Sequence, residues 1–541
     1  MSTGDSPPAS DAGDVGARFI APSGSPPQES SGRRGRDKSR PYKTAQLWGL
    51  LLACLVVRLV ALDADPPPWL SWSTGLYTDE GFYTLDARHE ALFGTLAPGD
   101  FHDRLLSPLL SLLQQGVFSL FGIGLVQARL LSALFGILTV GVFWLGLRRA
   151  WGANAADFGA LFLGLAPPFA LYNRTALQET PTVFWLVLAF ALWGWGARRP
   201  ALYALAGLSV AVAMVFKGLA LVAGGALVAG PGSKEPGYSG VEVPPALRQA
   251  YGIESSVAER LSLGVARLFR AGSLLGLGGL LLGLALYAAA WYGPHHAELS
   301  RMATYYRVHQ MQPHSWHSLW LNVRRAFDGG ERGVFPYLLA TLPVPCGLAV
   351  WGLWTRKGWD AADRFFALWL AGGLGFCLLS SYAPSRYYVL FLPALAGLAA
   401  RGLSKARRLV QIGAVAVFLL TSAAWYGAAW TGRSDARRDA SRELARTLPP
   451  GSVVVGDFAP ALCLDTPFAA TTVQPGLAND DHPVERLKAT HVVVVQNARN
   501  WQDWWRTRYP GIMQPSHHVA TFELGGTRHY VVDVYAVKET R

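Results

Sequence analysis

Cysteine is scarce in this chain, with four among 541 residues: Cys54, Cys346 and Cys377 lie in or beside apolar runs and Cys463 stands alone in the tail. That scarcity excludes a disulfide framework and a thiolate metal site. Charge is thin as well, at 16% of residues against 51% hydrophobic, which is more apolar side chain than one soluble core takes up. The shortage of charge places the chain in a membrane. The net charge of +12 does not point to nucleic acid, because the basic residues sit mainly between apolar runs, the pattern left by cytoplasmic retention of Lys and Arg. A small-residue cleavage signal is missing after the first apolar run, so that run is expected to be an uncleaved first helix.

Residues 1–43 are rich in Ser, Pro, Gly and Asp and end in Arg33, Arg34, Arg36, Lys38, Arg40 and Lys43. This composition predicts a disordered basic cytoplasmic leader. Apolar spans follow near 44–62, 125–147, 153–171, 181–196, 201–216, 218–230, 272–292, 334–354, 365–381, 387–400 and 409–428. The expected fold is mainly α, a polytopic bundle of about eleven transmembrane helices over 44–430. With the N-terminus in the cytoplasm, every short basic loop falls on the cytoplasmic side. Lys217 then marks the outer turn between two short helices. The segment Leu105–Phe121, carrying Gln114 and Gln115, is expected along the interface instead of across it. From 431 to 541 the character changes to an amphipathic helix, valine-rich strands and β-rich runs near 517–524 and 528–537, a small extracytoplasmic α/β domain.

This threading collects the unusual polar residues on the outer face. The first outer loop, 63–124, holds the acidic pair Asp79 and Glu80, which are costly to keep beside a bilayer without a polar cavity. Transfer of a sugar from a lipid phosphate needs a carboxylate to take the acceptor proton and cations to hold the departing phosphate. Asp79 fits the base and Glu80 the group that orients the acceptor. The phosphate candidates are Arg104, Arg174, Lys217 and Arg386 with Tyr387, and Glu179 and Tyr83 support them. The bland readings are a solvated helix N-cap for the acids, snorkelling for each Arg, and a structural ion pair between Arg174 and Glu179. His295, His296, His309, His314 and His317 line the loop 293–333, but no carboxylate or thiolate stands at a diagnostic interval. No cofactor is therefore expected, a divalent metal being the lesser alternative. Trp501, Trp504 and Trp505 are assigned to burial in the small domain.

Two other classes fit a polytopic chain. A lipid-linked sugar transporter or flippase needs ionisable residues near the midplane, and the spans 125–171 and 387–428 hold almost none. A non-catalytic binding subunit would leave the acidic pair idle.

Asp79-Glu-Gly-Phe-Tyr-Thr-Leu-Asp-Ala-Arg, then Pro108-Leu-Leu, Leu120-Phe-Gly122 and Ala128-Arg129, resembles the first outer loop of the glycosyltransferase-C superfamily. The likeness is to family 39 and its relatives, the protein O-mannosyltransferases and lipid A aminoarabinose transferases. Arg174 to Glu179, Phe216-Lys-Gly218 and Arg386-Tyr387 with Pro393 resemble later motifs of that family, in the same order. The resemblance implies inverting transfer of a monosaccharide from a polyprenyl-phosphate donor to an extracytoplasmic protein, glycan or lipid acceptor at the plasma (inner) membrane. It implies Asp79 as base. Arg104 stands where the aminoarabinose transferases place a Lys, so lipid A is not implied as acceptor. The repeat domain of eukaryotic protein mannosyltransferases is absent from the tail, which points to a prokaryotic member.

Overall fold

The computed structural model describes residues 40–196, 198–221, 224, 272–309, 315–328, 333–355, 358–476, 478–496, 499–525 and 530–538. Most of the basic leader, the loop from Lys234 to Arg270 and His314 lie outside the described residues. Residues 222, 223 and 225–230 of the expected 218–230 span do too. Among the described residues five helices are long and apolar enough to cross a membrane, or six if one bent pair counts as a single span. They include Leu125–Trp151, Gly272–Tyr292, Ala361–Leu379 and Ser385–Ser404, with shorter apolar helices such as Ala201–Phe216 between them. The chain is a multi-pass membrane protein. At about 1.5 Å per residue the Leu125–Trp151 helix is some 40 Å long, enough to cross with tilt. Arg148 and Arg149 sit in its last turn, where cations complement the helix dipole.

Proline corrects two expected spans. The stretch 334–354 is two helices, Val334–Thr341 and Pro343–Trp354, bent by 106°. Pro343 has no N–H to donate, and its ring pushes Leu342 out of helical geometry. The stretch 153–171 likewise divides into Ala153–Gly164 and Pro167–Tyr172. In the stretch 63–124 the helix Pro108–Phe121 has 14 residues, about 21 Å, and falls short of a ~30 Å hydrocarbon core. It buries Gln114 while Leu112, Leu113, Leu120 and Phe121 stay exposed, as suits a helix lying along the interface.

The C-terminal segment forms a five-stranded sheet of order β2-β1-β3-β5-β4, with β1 Val453–Gly456, β2 Ala469–Thr471, β3 His491–Val495, β4 His518–Leu524 and β5 Tyr530–Ala536. Strand β1 runs parallel to β2 and β3, and β5 is antiparallel to β3 and β4. Every residue of β3 is buried, the mark of a strand covered on both faces. Of the three tryptophans expected to be buried, Trp505 is buried against Val455, Val492 and Val494, while Trp501 and Trp504 are half-buried.

The sequence suggested an appendage joined at 431. Instead residues 47–541 form one compact unit, and one apolar cluster runs from Cys54 and Tyr77 through Phe458 and Leu462 to Val534. Helix Ala459–Leu462 packs on helix Gly75–Phe82, which carries the acidic pair.

Candidate active site

Four elements that end at one edge of the bundle supply the site. Asp79 lies in the Gly75–Phe82 helix, Glu179 opens the helix Glu179–Gly196, Lys217 follows Ala201–Phe216, and Arg386 and Tyr387 lie in the 3-10 turn Ser385–Phe391. An acid at a helix N-terminus is favoured by the dipole, which suits Glu179. Lys217 donates to Glu179 Oε1 at 2.7 Å. Arg386 bridges the two acids, with Nη2 3.0 Å from Asp79 Oδ2 and Nε 3.4 Å from Glu179 Oε1. Both cations lie over the Tyr387 ring, Lys217 Nζ at 4.2 Å and the Arg386 guanidinium at 5.3 Å from its centroid. The aromatic face thus holds the two charges side by side.

Room for the Asp79–Arg386 pair comes from Gly75, where a Cβ would lie 2.7 Å from Asp79 Oδ2 and 2.8 Å from Arg386 Nη1. Burial pushes the Asp79 carboxyl above its ordinary range; Arg386 opposes this, and Glu179 adds to it. Tyr83 shares this field: burial and the charge of Asp79 keep its phenol protonated. Asp79 Oδ2 and Glu179 Oε2 are buried oxygens that make no well-formed hydrogen bond. Such atoms are costly unless something meets them. Tyr382, which sequence reasoning missed, places its hydroxyl 3.4 Å from Arg386 Nη2.

Glu80 faces the other way, which corrects its expected role of orienting the acceptor. Its side chain has no exposed surface. Arg129 makes a two-pronged pair with it at 2.7 Å on each oxygen, Arg437 Nη2 approaches to 2.6 Å, and the Ala176 N–H donates at 2.8 Å. Opposed chiefly by burial, the two guanidiniums hold its carboxyl down at about 2. A carboxylate so fully engaged is a structural anchor. Arg129 was legible as a cation at the start of an apolar span, a position that calls for a partner. Arg437 gave no signal beyond lying in an amphipathic helix.

Arg104 and Arg174 are not brought into the cluster. Arg104 pairs with Glu90, donates to Gln115 Oε1 at 2.9 Å, and gives its backbone N–H to Asp86. Around it Asp86 accepts from His102 and Ala97, which fixes the loop before Pro108. Arg174 donates to the carbonyls of Val57 and Ala61, capping the end of the first helix. The ion pair considered between Arg174 and Glu179 does not form, because Glu179 is taken by Lys217 and Arg386. Among the described residues no group of three or more His, Cys, Asp or Glu is arranged to hold a metal ion.

The architecture, a helical bundle in which the stretch after the first helix docks on a C-terminal α/β segment, is the glycosyltransferase-C fold. Residues 106–229 match the family model described as dolichyl-phosphate-mannose-protein mannosyltransferase. The structure of ArnT from Cupriavidus metallidurans bound to undecaprenyl phosphate is similar over 91% of this chain and 98% of that one, at 16% identity and a TM-score of 0.58. The apo form of the same protein gives 17% identity and a TM-score of 0.59, over 92% and 98% of the two chains. The oligosaccharyltransferase AglB from Archaeoglobus fulgidus, in complex with an inhibitory peptide and a dolichol-phosphate, is similar over 84% of this chain and 69% of that one. Its identity is 12% and its TM-score 0.50. No curated protein matches the chain.

Proposed function

We propose that the protein is a membrane glycosyltransferase that moves a monosaccharide from a polyprenyl-phosphate donor to an acceptor hydroxyl, with inversion, on the extracytoplasmic side. The observation that carries this reading is the cluster of Asp79, Glu179, Lys217, Arg386 and Tyr387 at one edge of a glycosyltransferase-C bundle. Its support is chemical. Asp79 accepts the proton of the acceptor hydroxyl as the acceptor oxygen forms a bond to the anomeric carbon. The bond from that carbon to the phosphate oxygen breaks, and its electron pair leaves on the lipid phosphate. Arg386 and Lys217 meet the charge that develops there, held in place by Tyr387. Glu179 keeps the two cations positioned between turnovers, and Glu80 holds the helix that presents Asp79. Undecaprenyl phosphate in one similar structure and dolichol-phosphate in another agree with a lipid-phosphate donor.

A flippase reading draws less support, because the ionisable cluster lies at helix ends and not along a route through the bundle. Incubating the purified protein with radiolabelled polyprenyl-phosphate pentoses and hexoses and detergent-extracted membranes tests the proposal. Release of lipid phosphate with label on the acceptor is expected; movement of intact donor without a covalent product would sink it. Since protein cations already meet the phosphate, no cofactor is needed, and EDTA should leave the rate within about twofold. A loss of about tenfold or more, restored by a divalent metal, would show that a metal shares the work.

A further inference from the structure

Strand β1 ends at Gly456, and the next residue, Asp457, belongs to none of the elements discussed so far. Gly456 has φ +143°, and a Cβ there would lie 2.2 Å from the Val493 carbonyl oxygen. Only glycine lets the chain leave the sheet at this point, and it leaves toward the helix that bears Asp79. The approach is close: a Cβ on Gly81 would stand 2.3 Å from the Ala461 nitrogen and 2.5 Å from the Pro460 carbonyl carbon. On the other side, Ala478 is buried with Phe82 and Phe101, and Tyr83 packs against that cluster. Gln474 is tied to Ala478 by two backbone hydrogen bonds of 2.9 Å, and its side-chain amide donates to Asp457 Oδ1. Asp457 and Gln474 are thereby bracketed over residues 79–83, at the carboxyl end of a parallel strand, where open α/β sheets bind ligands.

The pair is chemically incomplete. No cation pairs with Asp457 among the described residues, although Asp79, Glu179, Glu80, Glu90 and Asp86 each have a basic partner. With one Gln474 N–H given to Asp457 Oδ1, the second carboxylate oxygen and Gln474 Oε1 remain as acceptors, which a ligand rich in hydroxyl donors would satisfy. Burial, with the charge on Asp79 adding to it, raises the Asp457 carboxyl to about 7, so the two acids share one electrostatic environment.

We infer that Asp457, with Gln474, is the acceptor-binding element of the site, taking hydrogen bonds from a polyhydroxylated acceptor whose reacting hydroxyl points at Asp79. The C-terminal segment would then select the acceptor. This rests on the glycosyl-transfer reading above, and two measurements keep the claims separable.

The first uses Asp457→Asn, which retains an oxygen for the Gln474 amide. The concentration of detergent-extracted membrane acceptor giving half-maximal transfer should rise about tenfold or more. Unchanged acceptor dependence in a variant with a native melting temperature overturns the assignment. Transfer that survives in Asp79→Asn while Asp457→Asn weakens acceptor use removes the base and leaves this inference standing. The second measurement needs no turnover: Asp457→Cys is labelled with a membrane-impermeant maleimide. Extracted membrane acceptors should slow labelling and polyprenyl phosphate alone should not. Protection by neither, or by polyprenyl phosphate alone, refutes the inference.

Discussion

Two adjacent acids of similar sequence context are driven apart by their surroundings. Asp79 keeps partial exposure and one arginine, and burial raises its carboxyl; Glu80 is sealed between two arginines and driven down to about 2. A base must be deprotonated to act, so a raised Asp79 shifts the acid limb of activity upward. The pH profile of donor turnover should fall at a pH above the ordinary carboxylate range of about 4, and Asp79→Asn should lose roughly 10²- to 10⁴-fold in rate with a native melting temperature. A variant turning over within tenfold of native would remove Asp79 from the chemistry. For Glu80 the sign is opposite. Its folded value lies below its usual 4.5, so its stabilisation is present above about pH 4.5 and is lost as pH falls toward 2, a contribution of roughly 3 kcal/mol. Glu80→Ala strands Arg129 and Arg437 in the interior and should cost about 3–5 kcal/mol. Thermal unfolding in detergent measures it, and a drop under a few degrees would contradict the anchor role.

At the scale of elements, the contact between helix Gly75–Phe82 and helix Ala459–Leu462 is backbone against backbone. No side chain fits at Gly81, so Gly81→Ala forces the two apart and should cost about 1–3 kcal/mol through overpacking. Activity should fall further than that loss of stability explains, because the same helix aims Asp79 at Arg386; a variant with both stability and turnover unchanged would show the helices free to separate. The amphipathic segment 434–448 was legible as a helix from its periodicity, and it forms over Ala436–Thr447. Its partner was not legible. Arg437 reaches Glu80 across a sequence separation that no local pattern encodes. The bend at Leu342 and Pro343 was, by contrast, written in the chain as a proline inside an apolar run.

For the molecule as a whole, the membrane bundle and the C-terminal segment share one core. Arg88 donates to the carbonyls of Thr466 at 2.6 Å and Phe468 at 2.8 Å, Thr471 donates to Pro98 O at 3.0 Å, and Tyr77 to Gly525 O at 3.2 Å. Removing residues 432–541 would therefore expose the buried Glu80 and Arg129 pair and the faces of Leu76 and Tyr77, and would leave Arg88 without its carbonyls. The truncated chain should fail to accumulate or should aggregate on size-exclusion in detergent, whereas a monodisperse, heat-stable fragment would show the two parts to be independent.

The sequence by itself determined the class of molecule: long apolar runs and thin charge demand a bilayer, short runs of consecutive valines demand strands at the end of the chain, and an acidic pair after the first span marks a candidate site. It also named Asp79, Glu179, Lys217, Arg386 and Tyr387 from composition at span ends and from resemblance to known motifs. Only the tertiary structure decided which of the candidates meet. Arg104 and Arg174 carry the same charge as Arg386, yet one is held by Glu90 and Gln115 and the other caps a helix. Glu80 differs from Asp79 by one position, which on a helix is a turn of about 100° and the difference between an open site and a sealed ion pair. Charge and span position are local properties readable along the chain; the partner that neutralises each charge is set by packing between segments, which for Arg386 with Asp79 and Arg437 with Glu80 lie more than 300 residues apart.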